Sequence, residues 1–214
     1  MTQSWLTKAP PRLDLALKAA ISVILSLGTW WFLLKGLSAL MFQRIAYVPL
    51  LFLIAPSGLS PIEVHSQTKE WIFNVELNYD GTIPQTGEPV FIDSVEIAVE
   101  PKLVEAFIGG WFTYIGLALS VGVLSRTQWL RILRGFGIQV TLSVLALALY
   151  IYVNALADAA NGTGGSAMLL DGLALCSYLL MPVLSSAGPF AVVLIAIPQW
   201  RNYFAIADSP PNKL

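Results

Sequence analysis

The sequence predicts an α-helical membrane protein with four transmembrane helices and a small β-rich extracytoplasmic insert between helices 1 and 2. Three observations predict this class. Residues 106–125, 135–157 and 172–200 contain no charged residue, and each run supplies the about 20 apolar residues that a membrane-spanning helix needs. The whole chain is 56% hydrophobic and only 12% charged. Between residues 71 and 100 apolar and polar residues alternate instead, which is typical of half-buried strands.

The first span is predicted over Leu13–Leu40. Its uncharged interval, residues 19–34, is short, but Lys18 and Lys35 lie at its ends, where long side chains can carry ammonium groups to the lipid headgroups. The apolar segment Ile45–Ala55 that follows has roughly half the length of a crossing. Because prolines interrupt or end this segment, we expect it to be re-entrant, interfacial or packed rather than a further crossing.

The predicted spans divide the chain into five parts. The first two are residues 1–44, with the N-terminus and first span, and residues 45–105, with the apolar segment and the β insert. The other three are residues 106–134, with the second span and a basic loop, residues 135–171, with the third span and a short loop, and residues 172–214, with the fourth span and a tail.

The distribution of charges predicts the orientation, since Lys and Arg in short loops stay on the cytoplasmic side. Arg126, Arg131 and Arg134 fall between the second and third spans, where we expect a cytoplasmic loop. The insert and the loop 158–171 carry most of the carboxylates. Four crossings with both termini in the cytoplasm fit this asymmetry. The net charge of −1 conceals the sorting and gives no indication of nucleic-acid binding.

The insert is predicted to form a small antiparallel sheet. In the first strand, Trp71, Phe73, Val75 and Leu77 share one face; in the second, Val95, Ile97 and Val99 do. The segment Tyr79–Thr82 carries a turn signal, and residues 62–64 are a candidate third strand. Since the insert is too small to bury much of a core alone, we expect the sheet to lie against the membrane surface or against residues 45–55.

The only cysteine, Cys176, lies one turn inside the fourth predicted span. It cannot form an intramolecular disulfide, and the ordinary interpretation is a small packing residue. The alternative is a thiolate nucleophile assisted by His65, the only histidine, as in a membrane cysteine peptidase. That chemistry needs an activating base or cation beside the thiol. No Arg stands near Cys176, and His65 lies in a Ser-Gln-Thr context typical of a solvated loop.

The other polar residues indicate no metal, cofactor or proton-relay site. The strand carboxylates are Glu76, Asp93, Glu96 and Glu100. They have no His or Cys neighbours of the kind that a transition metal needs, and a diffuse acidic surface facing a basic partner segment is the simpler interpretation. The third span contains the polar residues Gln139, Thr141, Ser143 and Asn154. We expect these groups to link helices inside the bundle.

The fourth span carries the candidate binding site. Pro182 and Pro189 leave main-chain carbonyls without amide partners, and in hydrocarbon such groups must be covered by protein or a lined cavity. Between them lie Ser185, Ser186 and Gly188, whose small side chains allow close approach and hydrogen bonding. The sequence indicates either a kink that only shapes the protein or a groove that receives a transmembrane helix of a partner or substrate.

Several short segments occur in a characteristic order along the chain. They are Pro56–Ser60, Val95–Ile97 continuing through Pro101–Leu103, Tyr178–Leu184 and Trp200–Phe204. Together with the order of spans and insert, they resemble the small membrane proteins associated with exosortases, in particular the exosortase H type. The resemblance covers most of the chain.

The resemblance implies a non-enzymatic accessory role beside an exosortase, a membrane transpeptidase that processes proteins with a C-terminal sorting tail. It implies a multi-pass protein of the bacterial inner membrane, with a membrane protein and the lipid bilayer as partners, and it supplies no catalytic residues or cofactor. The order of His65 before Cys176 is the reverse of the order in that enzyme. A structural subunit of a larger secretion, conjugation or respiratory complex is the alternative from another class.

Overall fold

A computed structural model describes residues 11–57, 60–64, 70–122, 125–164, 168, 170–175 and 187–205. Three helices in these ranges are long and apolar enough to cross a membrane: Asp14–Ile54, Pro101–Leu119 and Arg126–Gly162. A mostly helical chain with a small sheet is therefore confirmed. The fourth span stays a prediction, because residues 176–186 in its middle lie outside the described residues.

The helices and strands follow one another in a simple order. The helices are α1 (Pro11–Thr29), a π-helical turn (Trp30–Leu34), α2 (Lys35–Ile54), α3 (Pro101–Leu119), α4 (Arg126–Gly162), α5 (Gly188–Ala196) and α6 (Pro198–Ala205). Between α2 and α3 lie the strands β1 (Glu63–Val64), β2 (Trp71–Thr82) and β3 (Pro89–Val99). The chain divides into two compact units. Unit 1 comprises Met1–Lys35, Gly109–Val140 and Ala187–Leu214, and unit 2 comprises Gly36–Ile108 and Thr141–Ser186.

In unit 1, α3 packs closely against α1. A Cβ atom on Gly116 would lie 2.6 Å from Val23 Cα, so only glycine permits this approach. Further along the same contact, Ser26 Oγ donates a hydrogen bond to the Phe112 carbonyl at 2.7 Å. The Trp30 ring stacks on Phe112 with a centroid distance of 5.7 Å. The contacts advance along α1 as they retreat along α3, so the two helices run antiparallel.

The other faces of α3 contact the remaining helices of unit 1. Tyr114 donates its hydroxyl to the Ile132 carbonyl of α4 at 3.0 Å, and Trp200 Nε1 of α6 donates to the Leu117 carbonyl at 3.1 Å. Both acceptors are helix carbonyls, and in an apolar core an unpaired indole or phenol would be costly. The buried core of unit 1 comprises Ala19, Tyr114, Leu117, Ala118, Ile132, Val192, Val193, Ile197 and Trp200.

In unit 2, the three strands form an antiparallel sheet in the order β1-β2-β3. Trp71 pairs with Val99 and Phe73 with Ile97, and the predicted inner face of β2 is buried at Trp71, Phe73 and Val75. The predicted third strand is confirmed as β1, which pairs with β2. Phe42 of α2 meets Trp71 edge-to-face at 5.9 Å. The sheet therefore packs against the helix that contains residues 45–54.

The expected interruption at Pro49 is wrong, because α2 continues through this proline to Ile54. Proline removes one backbone hydrogen bond, but the helix has compensating burial at every fourth position. Its buried residues are Ser38, Phe42, Ala46, Leu50 and Ile54.

The expected basic loop is also wrong, since Arg126, Arg131 and Arg134 lie inside α4. The helix begins there because Ser125 and Gln128 form a capping box. Gln128 N donates to Ser125 Oγ at 3.2 Å, and Ser125 N donates to Gln128 Oε1 at 3.0 Å. The Ser-x-x-Gln spacing is a sequence signal for a helix start.

The predicted turn at Tyr79–Thr82 lies inside β2 instead. Asn78 adopts φ 48°, and the register shifts between Glu76 and Tyr79. Such a bulge absorbs the extra residue and lets pairing resume. The hairpin turns further on, where Gly87 N donates to the Ile83 carbonyl at 2.8 Å.

Candidate helix-docking site

The structure describes only part of the binding site predicted on the fourth span. Pro182, Ser185 and Ser186 lie outside the described residues, as do Cys176 and His65 of the catalytic alternative. Gly188 is half-buried at the start of α5, and Pro189 is buried. Pro189 therefore packs within unit 1.

The outward side of α5 is apolar. Phe190 is 52% exposed and Ile195 is 75% exposed, whereas Val192 and Val193 are each 1% exposed. A transmembrane helix that contacts α5 would meet Phe190 and Ile195. The sequence analysis missed these two residues, because the whole segment is apolar and only packing separates its inner and outer sides.

Gln139 of α4 is the buried polar group nearest to the start of α5. Its side chain is 1% exposed, and Oε1 has no hydrogen-bond partner in the described part of the chain. A Cβ on Gly188 would lie 3.8 Å from both the Nε2 and the Oε1 atoms of Gln139. An unsatisfied buried acceptor costs about 1–3 kcal/mol, so this carboxamide favours any arrangement that brings a donor to it.

A groove lies between α1 and α3 in unit 1. Its volume is about 450 Å³, it is open on one side, and its exposed lining is almost entirely apolar. The lining residues are Ser22, Leu25, Ser26, Thr29, Leu34, Phe112, Ile115 and Leu119. This groove is the largest concave apolar feature that the described residues form within a single unit.

Short side chains on one face of α1 leave the groove open. Ser22, Ser26 and Thr29 recur at intervals of four and three residues, and residues so spaced share one side of a helix. Ser26 Oγ donates to the Phe112 carbonyl, and Thr29 Oγ1 donates to the Leu25 carbonyl at 2.8 Å. Both hydroxyl protons are thus satisfied internally. The Ser-Ser-Thr spacing was the sequence signal that could have located this groove.

The strand carboxylates do not form a common site. Glu76 accepts hydrogen bonds from Ser57 N at 2.8 Å and from the Ser57 hydroxyl, which ties β2 to the residues after α2. Asp93, Glu96 and Glu100 are exposed. Within the described ranges, no group of three or more His, Cys, Asp or Glu residues could hold a metal ion.

No protein-family model matches the chain, and no curated protein or solved structure matches it. The resemblance to exosortase-associated proteins therefore depends on the segments named in the sequence analysis. The geometry of the groove and of α5 is the independent ground for proposing a function.

Proposed function

We propose that this chain is a non-enzymatic integral membrane accessory protein that docks a transmembrane helix of a partner or substrate. In this proposal it serves an exosortase-type protein sorting system of the bacterial inner membrane, with both termini in the cytoplasm. The open apolar groove between α1 and α3 carries the docking part of the proposal. The order of segments along the chain supports the exosortase part.

The groove has the chemistry that helix association in a bilayer requires. Apolar contact alone gives no preference for a helix over lipid, so association depends on close packing and on polar groups that can share hydrogen bonds. Ser22 and Thr29 place hydroxyl oxygens beside the apolar residues Leu25 and Ile115. A ridge of side chains on a partner helix can enter such a groove, and the hydroxyl oxygens can accept hydrogen bonds from it.

A pair of exposed leucines in unit 1 allows a matched test. Leu25 lines the groove and is 65% exposed, whereas Leu133 of α4 is 59% exposed and is not among the lining residues. Leu25→Trp should fill the groove and reduce copurification of the partner at least tenfold, which corresponds to about 1.4 kcal/mol. Leu133→Trp should leave copurification unchanged. Both variants should reach the same level in the membrane.

The identity of the copurified protein tests the other part of the proposal. An exosortase, or a protein with a short motif, a transmembrane helix and a basic end, would support the sorting role. A secretion, conjugation or respiratory subunit lost with Leu25→Trp would keep the docking groove and replace the exosortase by that complex. Equal losses with both tryptophan variants would refute docking in the groove.

A further inference from the structure

The sheet of unit 2 indicates that α2 lies outside the hydrocarbon core. β3 is an edge strand, and its exposed residues include Asp93 and Glu96. Open sheet edges and exposed carboxylates are not stable against lipid tails. Phe42 of α2 contacts Trp71 at the start of β2, and Ser57 after α2 contacts Glu76 further along β2. The helix therefore follows β2 through the region that water reaches.

Helix length supports the same assignment. Asp14–Ile54 contains 41 residues, which corresponds to about 62 Å at 1.5 Å per residue, whereas the hydrocarbon core is about 30 Å thick. Roughly half of the helix must lie outside the core. Lys35 Nζ lies 4.2 Å from the centre of the Trp31 ring. Trp and Lys are typical of the boundary between membrane and water, so α2 begins at this boundary.

Outside the bilayer, α2 exposes an apolar stripe. Its exposed residues Leu37, Met41, Ile45, Val48 and Phe52 recur at intervals of four, four, three and four residues. Residues at this spacing form one continuous line along a helix, the pattern by which a second helix is recognised. Their exposed fractions range from 39% for Ile45 to 75% for Phe52. A stripe of this size in contact with water indicates a protein interface.

Arg44 determines the chemistry of the partner. It is exposed beside Met41 and Val48, and in the described part of the chain it makes no ion pair. The α2 segment contains no Asp or Glu. A second copy of this chain would, in a two-fold pairing centred on Arg44, bring two guanidinium groups together. A different chain with a carboxylate at this position would instead form a charge-assisted, bidentate contact.

We propose that the α2 stripe, defined as Leu37, Met41, Ile45, Val48 and Phe52, binds an apolar helix of another protein that places an Asp or Glu against Arg44. This surface lies in unit 2 and is separate from the groove of unit 1. Pro49 strengthens the assignment, because it removes the amide that would bond the Ile45 carbonyl. That carbonyl remains as an acceptor beside the stripe.

Photo-crosslinking in native membranes tests the surface. A photoreactive residue at Met41 or Val48 of the full chain should form an adduct with an apolar helical segment, mapped by mass spectrometry, that has an Asp or Glu within one turn of the adduct. Arg44→Glu should reduce the yield at least tenfold, and Arg44→Gln should reduce it less. Lys102→Glu is the matched control, since Lys102 is exposed in the same unit and the charge changes equally; its yield should equal that of the parent chain.

Restoration by a reversed charge identifies the contact. Changing the mapped acidic residue of the partner to Lys should restore the adduct with Arg44→Glu. An adduct with a second copy of α2, labelling of lipid alone, or equal yields for Arg44→Glu and Lys102→Glu would each overturn the proposal. Size-exclusion chromatography in detergent should give the same profile for all variants, and the milder Arg44→Gln decides the question if Arg44→Glu fails to fold.

Discussion

Substitution of Gly116 by alanine should separate α1 from α3. The added methyl group would lie 2.6 Å from Val23 Cα and 2.9 Å from the Ser22 carbonyl oxygen, whereas carbon atoms in contact are about 3.5–4.0 Å apart. The obstructing atoms belong to the backbone, so no change of rotamer can relieve the overlap. The two helices must move apart by about 1 Å, which would weaken the hydrogen bond from Ser26 to the Phe112 carbonyl.

The magnitude follows from two opposing effects. Overpacking costs about 1–3 kcal/mol, and replacing glycine by alanine within a helix returns about 0.5–1 kcal/mol. We expect Gly116→Ala to lower the free energy of unfolding by about 0.5–2 kcal/mol as the difference of these two ranges. Gly137 of α4 is the control, because a Cβ there meets no atom within 4 Å. Gly137→Ala should leave the free energy of unfolding unchanged or raise it.

Reversible unfolding in mixed detergent micelles measures both variants, with tryptophan fluorescence as the signal because Trp30 stacks on Phe112 in the same contact. Equal free energies of unfolding for Gly116→Ala and Gly137→Ala would refute the close approach of α1 and α3. A loss confined to Gly116→Ala would support it. The groove beside this contact should then also lose partner binding.

Three further predictions concern the sheet, the orientation and the cysteine. Asn78→Gly should leave stability nearly unchanged, whereas Asn78→Val should lower it by about 1–2 kcal/mol, because the residue has φ 48° and a β-branched side chain is strained there; equal thermal unfolding would contradict the bulge. Cysteines at Ser66 and Asn161, in a Cys176→Ser background, should both react with an impermeant reagent in spheroplasts, and protection of either would exclude the proposed topology; Asn161 is exposed, whereas a side chain at Gly164 would meet Pro84 at 2.8 Å. Cys176→Ala should preserve function at normal expression, and loss of activity would favour the cysteine peptidase.

Local patterns predicted the strands well. Alternation at Trp71, Phe73 and Val75 correctly gave the buried face of β2, because a period of two residues fixes which side chains share a side of a sheet. The turn was misplaced because Asp80-Gly81 is a common turn sequence, while the bulge at Asn78 depends on pairing with a distant strand. Pairing across strands is not encoded in the residues of the turn alone.

Composition alone determined that this chain is largely apolar helix with a small sheet, because long uncharged runs and alternating residues have few other stable arrangements. It could not determine which side of each apolar helix is covered, since Val192 and Ile195 are equally apolar, yet one is buried and the other exposed. Only the tertiary structure decided this, through the close contact of Gly116 with α1 and the packing of Phe42 on Trp71. The groove and the α2 stripe exist because those contacts use some faces of the helices and leave others open.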